Sequence, residues 1–349
     1  MRFDLAKSIL ASYLPQLVTL EENLTAAVFP LMKIYPADFC IRRAVQQGLV
    51  ERDTLVIESS SGTMALGLAI VCNCYGYKLA IVSDSACDQD LRRRLEDLGA
   101  RVEIVTKAAE PGGYQRARLD RLHEIRSTAR DSWWVNQYDN ESNPGAYAAF
   151  ASQLVESLGR IDCLVGAIGS GGSVCGTAAG LRKLFPEMKV IGVDTPGSVL
   201  FGQEDKPRIL RGLGNSLLPK NLNHSAFDEV HWVTGAEAYT ATRLLHRQTT
   251  LFCGGTSGAC WLVARYWALR HPRSRVVCIF PDQGHRYIRS IYDDEYLLQH
   301  NLWLAELPEG PAEVMSPRSA SDSWSYLTWG RRSYQRVVGE SSVSFAATF

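Results

Sequence analysis

Two short stretches of this chain gather the groups that hold anions. After the apolar run Cys163–Ala167 come Ile168-Gly169-Ser170-Gly171-Gly172-Ser173, then a helix-forming segment through Thr177–Leu184. Glycines let a backbone approach a phosphate closely. The N–H groups of a helix's first turn point at it, and the hydroxyls of Ser170 and Ser173 add donors. A tight strand-to-helix turn without a ligand would use the same residues. In the second stretch, Leu55-Val56-Ile57-Glu58 runs into Ser59-Ser60-Ser61-Gly62-Thr63 and another helical pattern. Hydroxyls and backbone donors at a helix start suit a carboxylate, and they equally suit an N-cap cluster that satisfies the first turn.

The type of phosphate can be narrowed. A dinucleotide loop wants Gly-x-Gly-x-x-Gly; here the sixth position is Val174, although Asp194 at the end of the next strand mimics the ribose-binding acid. A nucleotide-hydrolysing loop needs a Gly-Lys-Ser/Thr ending, which this one lacks. A single phosphate on a small cofactor fits the loop better than either.

These loops need a scaffold, and the sequence supplies one. Strand patterns at Leu55–Glu58, Leu79–Ser83, Arg101–Val105, Trp133–Asn136, Cys163–Ala167, Val190–Asp194 and Val276–Phe280 alternate with helix-length segments such as Thr63–Tyr75, Gln89–Leu98 and Tyr147–Leu158. Such alternation predicts an α/β fold of doubly wound parallel sheets, whose ligands sit beyond the carboxyl ends of the strands. The length of 349 residues suggests two domains.

Composition excludes several other classes. With 46% apolar residues, 21% charged, and 37 basic against 37 acidic side chains, the chain is neither disordered nor carried to nucleic acid by bulk charge. It has no run of 18 uncharged apolar residues, and Asp4 and Lys7 interrupt the first apolar stretch as no signal peptide would, so no membrane contact and a cytoplasmic protein are expected. The nine cysteines form neither a Cys-x-x-Cys pair nor a zinc pattern, which predicts buried thiols and no metal.

Taken together, the motifs resemble the pyridoxal-phosphate-dependent cysteine synthase family, of the tryptophan-synthase-β-like fold that also includes cystathionine β-synthase. Lys33, just ahead of a helix ending at Gln47-Gly48-Leu49, resembles the family's Schiff-base lysine. Glu58–Thr63 resembles its substrate loop and Gly169–Ser173 its phosphate loop. Cys253-Gly-Gly-Thr-Ser-Gly-Ala259 is similar to the segment whose hydroxyl faces the pyridine nitrogen, and Phe280–Tyr287 to the closing strand and turn. The resemblance spans about residues 13–304. Further strings, Gly112-Gly113-Tyr114, Trp134–Tyr138 with Asn140, Glu141 and Asn143, Val193–Gly202 and Asp282–Tyr287, resemble an amine-accepting branch that makes a diaminopropionate precursor for siderophores.

The resemblance implies pyridoxal 5'-phosphate as cofactor and β-replacement on an activated L-serine through an aminoacrylate, with small-molecule amino-acid substrates and a homodimer. It makes Lys33 the catalytic residue. Lys33, Thr63, Gly169, Ser170, Gly171, Gly172, Ser173 and Thr256 would bind the cofactor. Ser60, Ser61, Gly62 and Gln137 would hold the substrate carboxylate, and Arg211 the phosphate of O-phospho-L-serine. Cysteine synthesis from O-acetyl- or O-phosphoserine and sulfide, and a degenerate cofactor-binding scaffold, stand as alternatives. The sequence departs from the family in two places: Ala27–Met32 replaces an Asn-Pro-Gly-x-Ser string before Lys33, and Thr63 replaces an asparagine. The expected organisation is a smaller substrate domain over 40–150, a larger cofactor domain from 1–39 and 151–307 with the cofactor in the cleft, and a tail over 308–349 that is either mobile or docked. Thr256 has a simpler reading too, as cap of a helix beginning near Ser257.

Overall fold

The computed structural model describes residues 2–110, 113–210, 212–320 and 322–339. A helix, Arg2–Ala11, leads to a hairpin of β1 (Gln16–Glu21) and β2 (Leu24–Val28). Next come β3 (Leu55–Ser59), β4 (Lys78–Asp84), β5 (Ala100–Val105) and β6 (Ser132–Trp134). They are followed by β7 (Cys163–Ala167), β8 (Lys189–Asp194), β9 (Glu229–Trp232) and β10 (Val276–Phe280), and finally by β11 (Ala312–Glu313) and β12 (Ser325–Thr328). The chain divides into two compact units, Met1–Leu14 with Leu31–Ala146, and Pro15–Pro30 with Tyr147–Phe349.

In the smaller unit the strand order is β5-β4-β3-β6, every pair parallel. Parallel strands covered on both faces must be apolar along their length, as Val56-Ile57 and Leu79–Val82 are. The helix Thr63–Tyr75 buries nearly every residue from Met64 to Cys72, so it has no polar face and serves as core. Chain order runs outward from β3 to β5 on one side and jumps to β6 on the other. The order reverses between β3 and β6, where an open sheet leaves a crevice beyond its strand ends.

The larger unit has the order β1-β2-β10-β7-β8-β9-β12-β11. Its centre, β2-β10-β7-β8-β9, is parallel; β1 and β12 flank it antiparallel, and β11 lies parallel to β12 at the edge. The helix Gly255–Arg270 packs on β10 and β7 and buries twelve of its residues, among them Ala259, Cys260 and Val263. Here the order reverses between β7 and β10.

The α/β class and the parallel strands are those expected. Three differences stand out. The β1–β2 hairpin, β9 and the β11–β12 pair had no expectation, and the predicted strand at Trp133–Asn136 is shorter, since Asn136 turns left-handed at φ 50°. The expected boundary at residue 39 is wrong in physical terms. The Arg2–Ala11 and Ile34–Gln46 helices both pack on Thr63–Tyr75, and Leu31, Ile34, Ala37 and Cys40 enter the smaller unit's core. Conversely Tyr147 and Phe150 belong with the larger unit, the Phe150 ring meeting Phe29 edge-on at 5.0 Å. From the stretch set apart as a tail, β12 joins β9, and Trp324 and Trp329 are fully enclosed.

Candidate active site

Lys33 stands immediately before the Ile34–Gln46 helix, at φ −66° and ψ −7°. Its backbone is gripped: a side chain at Gly67, on the Thr63–Tyr75 helix, would meet the Lys33 carbonyl oxygen at 2.8 Å. Loss of water around the ammonium pulls the Lys33 pKa down to about 8, against the opposing pull of Glu58 and Cys40. A lysine so placed has a substantial neutral fraction near physiological pH, which is what an amine needs in order to attack a carbonyl.

Glu58 is the next-to-last residue of β3 and is 1% exposed. Burial pushes its carboxyl up to about 7, although it accepts hydrogen bonds from the Ser59 N–H at 2.7 Å, the Gln137 N–H at 3.0 Å and Trp134 Nε1 at 3.2 Å. These bonds tie the β3 end to the β6 end across the switch point. Gln137 also donates Nε2 to the Ser59 carbonyl at 3.4 Å, and Asn143 donates Nδ2 to the Gln137 carbonyl at 2.5 Å.

The Ser60–Thr63 loop divides its labour. The Ser60 hydroxyl oxygen accepts from the Gly62 and Ala65 N–H groups at 3.3 and 3.2 Å, so the capping role weighed from sequence is realised there. Gly62 is the N-cap, at φ −146° and ψ −143°, and Thr63 is the first helical residue. Ser61 Oγ accepts from Arg118 Nη1 at 3.2 Å. Arg118 lies on the Gly113–Thr128 helix, is 8% exposed, pairs with Asp84 at 3.3 Å, and keeps its buried Nε without a partner. Sequence reasoning missed it, because one arginine among Arg116, Arg121 and Arg126 on a charged helix carries no mark of its own.

The other set lies in the larger unit. Gly171, N-cap of the Gly172–Leu181 helix, has φ 79°, and a Cβ there would lie 2.7 Å from Leu222 Cα. Glycine is therefore required twice over, by conformation and by space. Gly169 passes the Gly212 carbonyl, where a Cβ would sit 3.3 Å from the oxygen, and Asn215 Nδ2 donates to the Gly169 carbonyl at 3.3 Å. Ser170 is buried and Ser173 lies within the first turn. Thr256 flanks the same Gly212 segment, its Cγ2 being 3.5 Å from a Cβ built on Gly212. The Gly255–Arg270 helix starts earlier than expected and its N-cap is Gly254, so Thr256 caps nothing. Its buried hydroxyl has no partner. Arg211 lies outside the described residues.

In the larger unit, the glycine cradle at a helix start and the unpartnered hydroxyl of Thr256 suit a phosphorylated pyridine. In the smaller unit, Lys33 is an amine of lowered basicity, suited to an aldehyde. Each lies beyond a strand end or at a helix start, where such folds place their chemistry.

Comparison with known proteins agrees. The family model "Pyridoxal-phosphate dependent enzyme" matches residues 31–282. The chain belongs to that family and is a pyridoxal 5'-phosphate-dependent enzyme. Among its relatives, the N-(2-amino-2-carboxyethyl)-L-glutamate synthase of Cupriavidus metallidurans is 36% identical over 272 residues, covering 76% of this chain and 80% of the relative. The protein of the same name from Ralstonia nicotianae is 34% identical over 309 residues, covering 84% and 91%. The O-acetylserine-dependent cystathionine β-synthase of Helicobacter pylori superposes with a TM-score of 0.74 at 26% identity, over 81% of this chain and 98% of that one. A cysteine synthase of Entamoeba histolytica shares the fold at a TM-score of 0.75 and 20% identity, covering 84% and 94%. No helix among the described residues is long and apolar enough to cross a membrane, and they hold no cluster of metal-ligating side chains.

Proposed function

We propose that this enzyme catalyses β-replacement on O-phospho-L-serine with an amine nucleophile such as L-glutamate, giving a diaminopropionate-type product of use in siderophore assembly. The relatives named N-(2-amino-2-carboxyethyl)-L-glutamate synthase support the amine nucleophile. The observation that carries the leaving group is Arg118, a buried guanidinium bonded to Ser61 with Nε unsatisfied. A planar fork with a donor to spare suits a phosphate, whereas the neutral acetyl group of O-acetylserine has no use for it.

The cofactor supplies an electron sink for the bond-breaking at Cα and Cβ. This chain's residues do the rest. Lys33 would hold the cofactor through its aldehyde, and its Nζ would take the substrate's Cα proton. Ser60, Ser61, Gly62 and Gln137 hold the substrate carboxylate and thereby aim the Cα–H bond at that amine. Gly169–Ser173 would hold the cofactor's phosphate, and Thr63 and Thr256 its ring, where a neutral hydroxyl as partner of the ring nitrogen would favour elimination over transamination. The active form is a homodimer.

Turnover of O-phospho-L-serine and O-acetyl-L-serine, each with L-glutamate or sulfide, tests the reading in the unmodified enzyme and in Arg118→Lys. Lysine keeps a positive charge opposite Asp84 and loses the fork. A preference for O-phospho-L-serine that drops by about tenfold in the variant supports the assignment. Equal use of both serine derivatives rejects the leaving group, and faster reaction with sulfide than with L-glutamate turns the reading to cysteine synthesis.

A further inference from the structure

The phosphate loop opens the Gly172–Leu181 helix, so whatever fixes that helix fixes the loop. At the N-terminal end Gly171 sits against Leu222, and Cys175 Sγ lies 3.8 Å from the Asn223 carbonyl oxygen. Just past the other end, Arg182 sends Nη1 to the Ala226 carbonyl at 2.6 Å and Nη2 to Asp228 Oδ2 at 2.7 Å. Both ends rest on one short segment, residues 222–228.

That segment is in turn held by chain beyond residue 282, where the family match stops. Arg331 donates Nε to Asp228 Oδ1 at 3.0 Å, and Nη1 and Nη2 to the Pro186 and Met188 carbonyls at 3.2 Å each. The N–H groups of Gly330 and Arg331 donate to the carbonyls of Asp228 at 2.9 Å and Phe227 at 2.7 Å. Trp329 packs edge-on to Phe201 at 5.1 Å, and Tyr334 meets the His224 ring at 4.9 Å. Gly330 and Arg331 both hold left-handed backbones, φ 64° and 57°. A non-glycine residue keeps that conformation where its surroundings over-determine it, as five hydrogen bonds from consecutive residues do here.

We propose that the stretch Trp329–Val338 braces the phosphate loop, with Arg331 as the positioning residue that sets the strength of its grip. This rests on Gly169–Ser173 being the cofactor's phosphate site. Arg331 joins Asp228 to the carbonyls that follow the helix, so that helix cannot shift along its axis without breaking a charge-assisted bond. A brace of this kind affects the phosphate end of the cofactor and leaves the aldehyde end alone.

Pyridoxal, which lacks the phosphate, separates the two. Cofactor-free protein is titrated with pyridoxal 5'-phosphate and with pyridoxal, followed by visible absorbance, for the unmodified chain, Arg331→Ala and Arg331→Lys. Arg331→Ala is expected to lose about tenfold of the preference for the phosphorylated form while pyridoxal affinity holds. Arg331→Lys, the milder change if alanine prevents folding, is expected to lose part of it. A wild-type preference in both variants overturns the brace, and so does an equal loss for both ligands, which marks general destabilisation. Absence of any preference in the unmodified protein overturns the phosphate-loop reading and the brace with it.

Discussion

The two switch points are built on the same plan and charged differently. Around the ends of β3 and β6 stand ionisable groups: Lys33, lowered by burial to about 8, Glu58, raised to about 7, and the Arg118–Asp84 ion pair. Beyond β7 and β10 stand backbone N–H groups, glycines and hydroxyls. The carboxyls of Asp194, at the end of β8, and Asp282, just past β10, are pushed upward by burial. The contrast suits the smaller unit to moving protons and the larger to holding an anion still. A phosphate gripped by dipoles keeps its place whatever the pH does to its neighbours, whereas an amine poised by burial is useful because its proton is easily moved.

Three measurements break or sharpen this contrast. The largest effect is expected from Lys33→Ala: turnover falls by about 10³-fold or more, and borohydride no longer fixes the cofactor to the protein, as read by mass spectrometry. Retained turnover would place the proton-moving group elsewhere. Gly171→Ala comes next. It combines a left-handed backbone with a Cβ only 2.7 Å from Leu222 Cα, and is expected to cost about 2–4 kcal/mol in thermal or denaturant unfolding, with weakened cofactor binding and an unchanged pH profile. A changed pH profile would show that the larger unit also handles protons.

The smallest effect belongs to Glu58→Gln. The carboxylate raises the Lys33 pKa, so its removal moves half-reactivity of Lys33 in the cofactor-free protein below about 8, as followed with an amine-directed reagent. Stability gives a second readout. The carboxyl goes from 4.5 to about 7 on folding, so the folded state holds an extra proton between those values and loses stability as pH rises through them. Glu58→Gln is expected to flatten that slope. An unaltered slope would mean that Glu58 is not the titrating group.

The parts of the molecule legible in the sequence are those in which local pattern and tertiary role coincide. The strands β3, β4, β7, β8 and β10 read as apolar runs because parallel strands are covered on both faces, and the two glycine- and serine-rich loops show because they follow such runs directly. Lys33 drew notice through its order relative to those loops, since one lysine before a helix carries no signal. What stayed hidden depends on distant chain. β9 is four residues long and acquires meaning from β8 and β12 on its flanks. Arg118 matters because β4 brings Asp84 beneath it, and the residues after 308 pack because Phe201 and His224 wait for aromatic rings.

The β1–β2 hairpin has a bearing on how the protein is born. Its parallel neighbour, β10, pairs Val276 with Leu24, so the hairpin leaves the ribosome long before the strand that completes it. At roughly 5–20 residues per second, on the order of ten seconds or more pass while that edge stands open, with Leu31–Ala146 of the smaller unit synthesised meanwhile. The nascent chain therefore carries an apolar strand with one edge unpaired through most of translation, a ready target for chaperone holding and the first place where self-association during expression should begin.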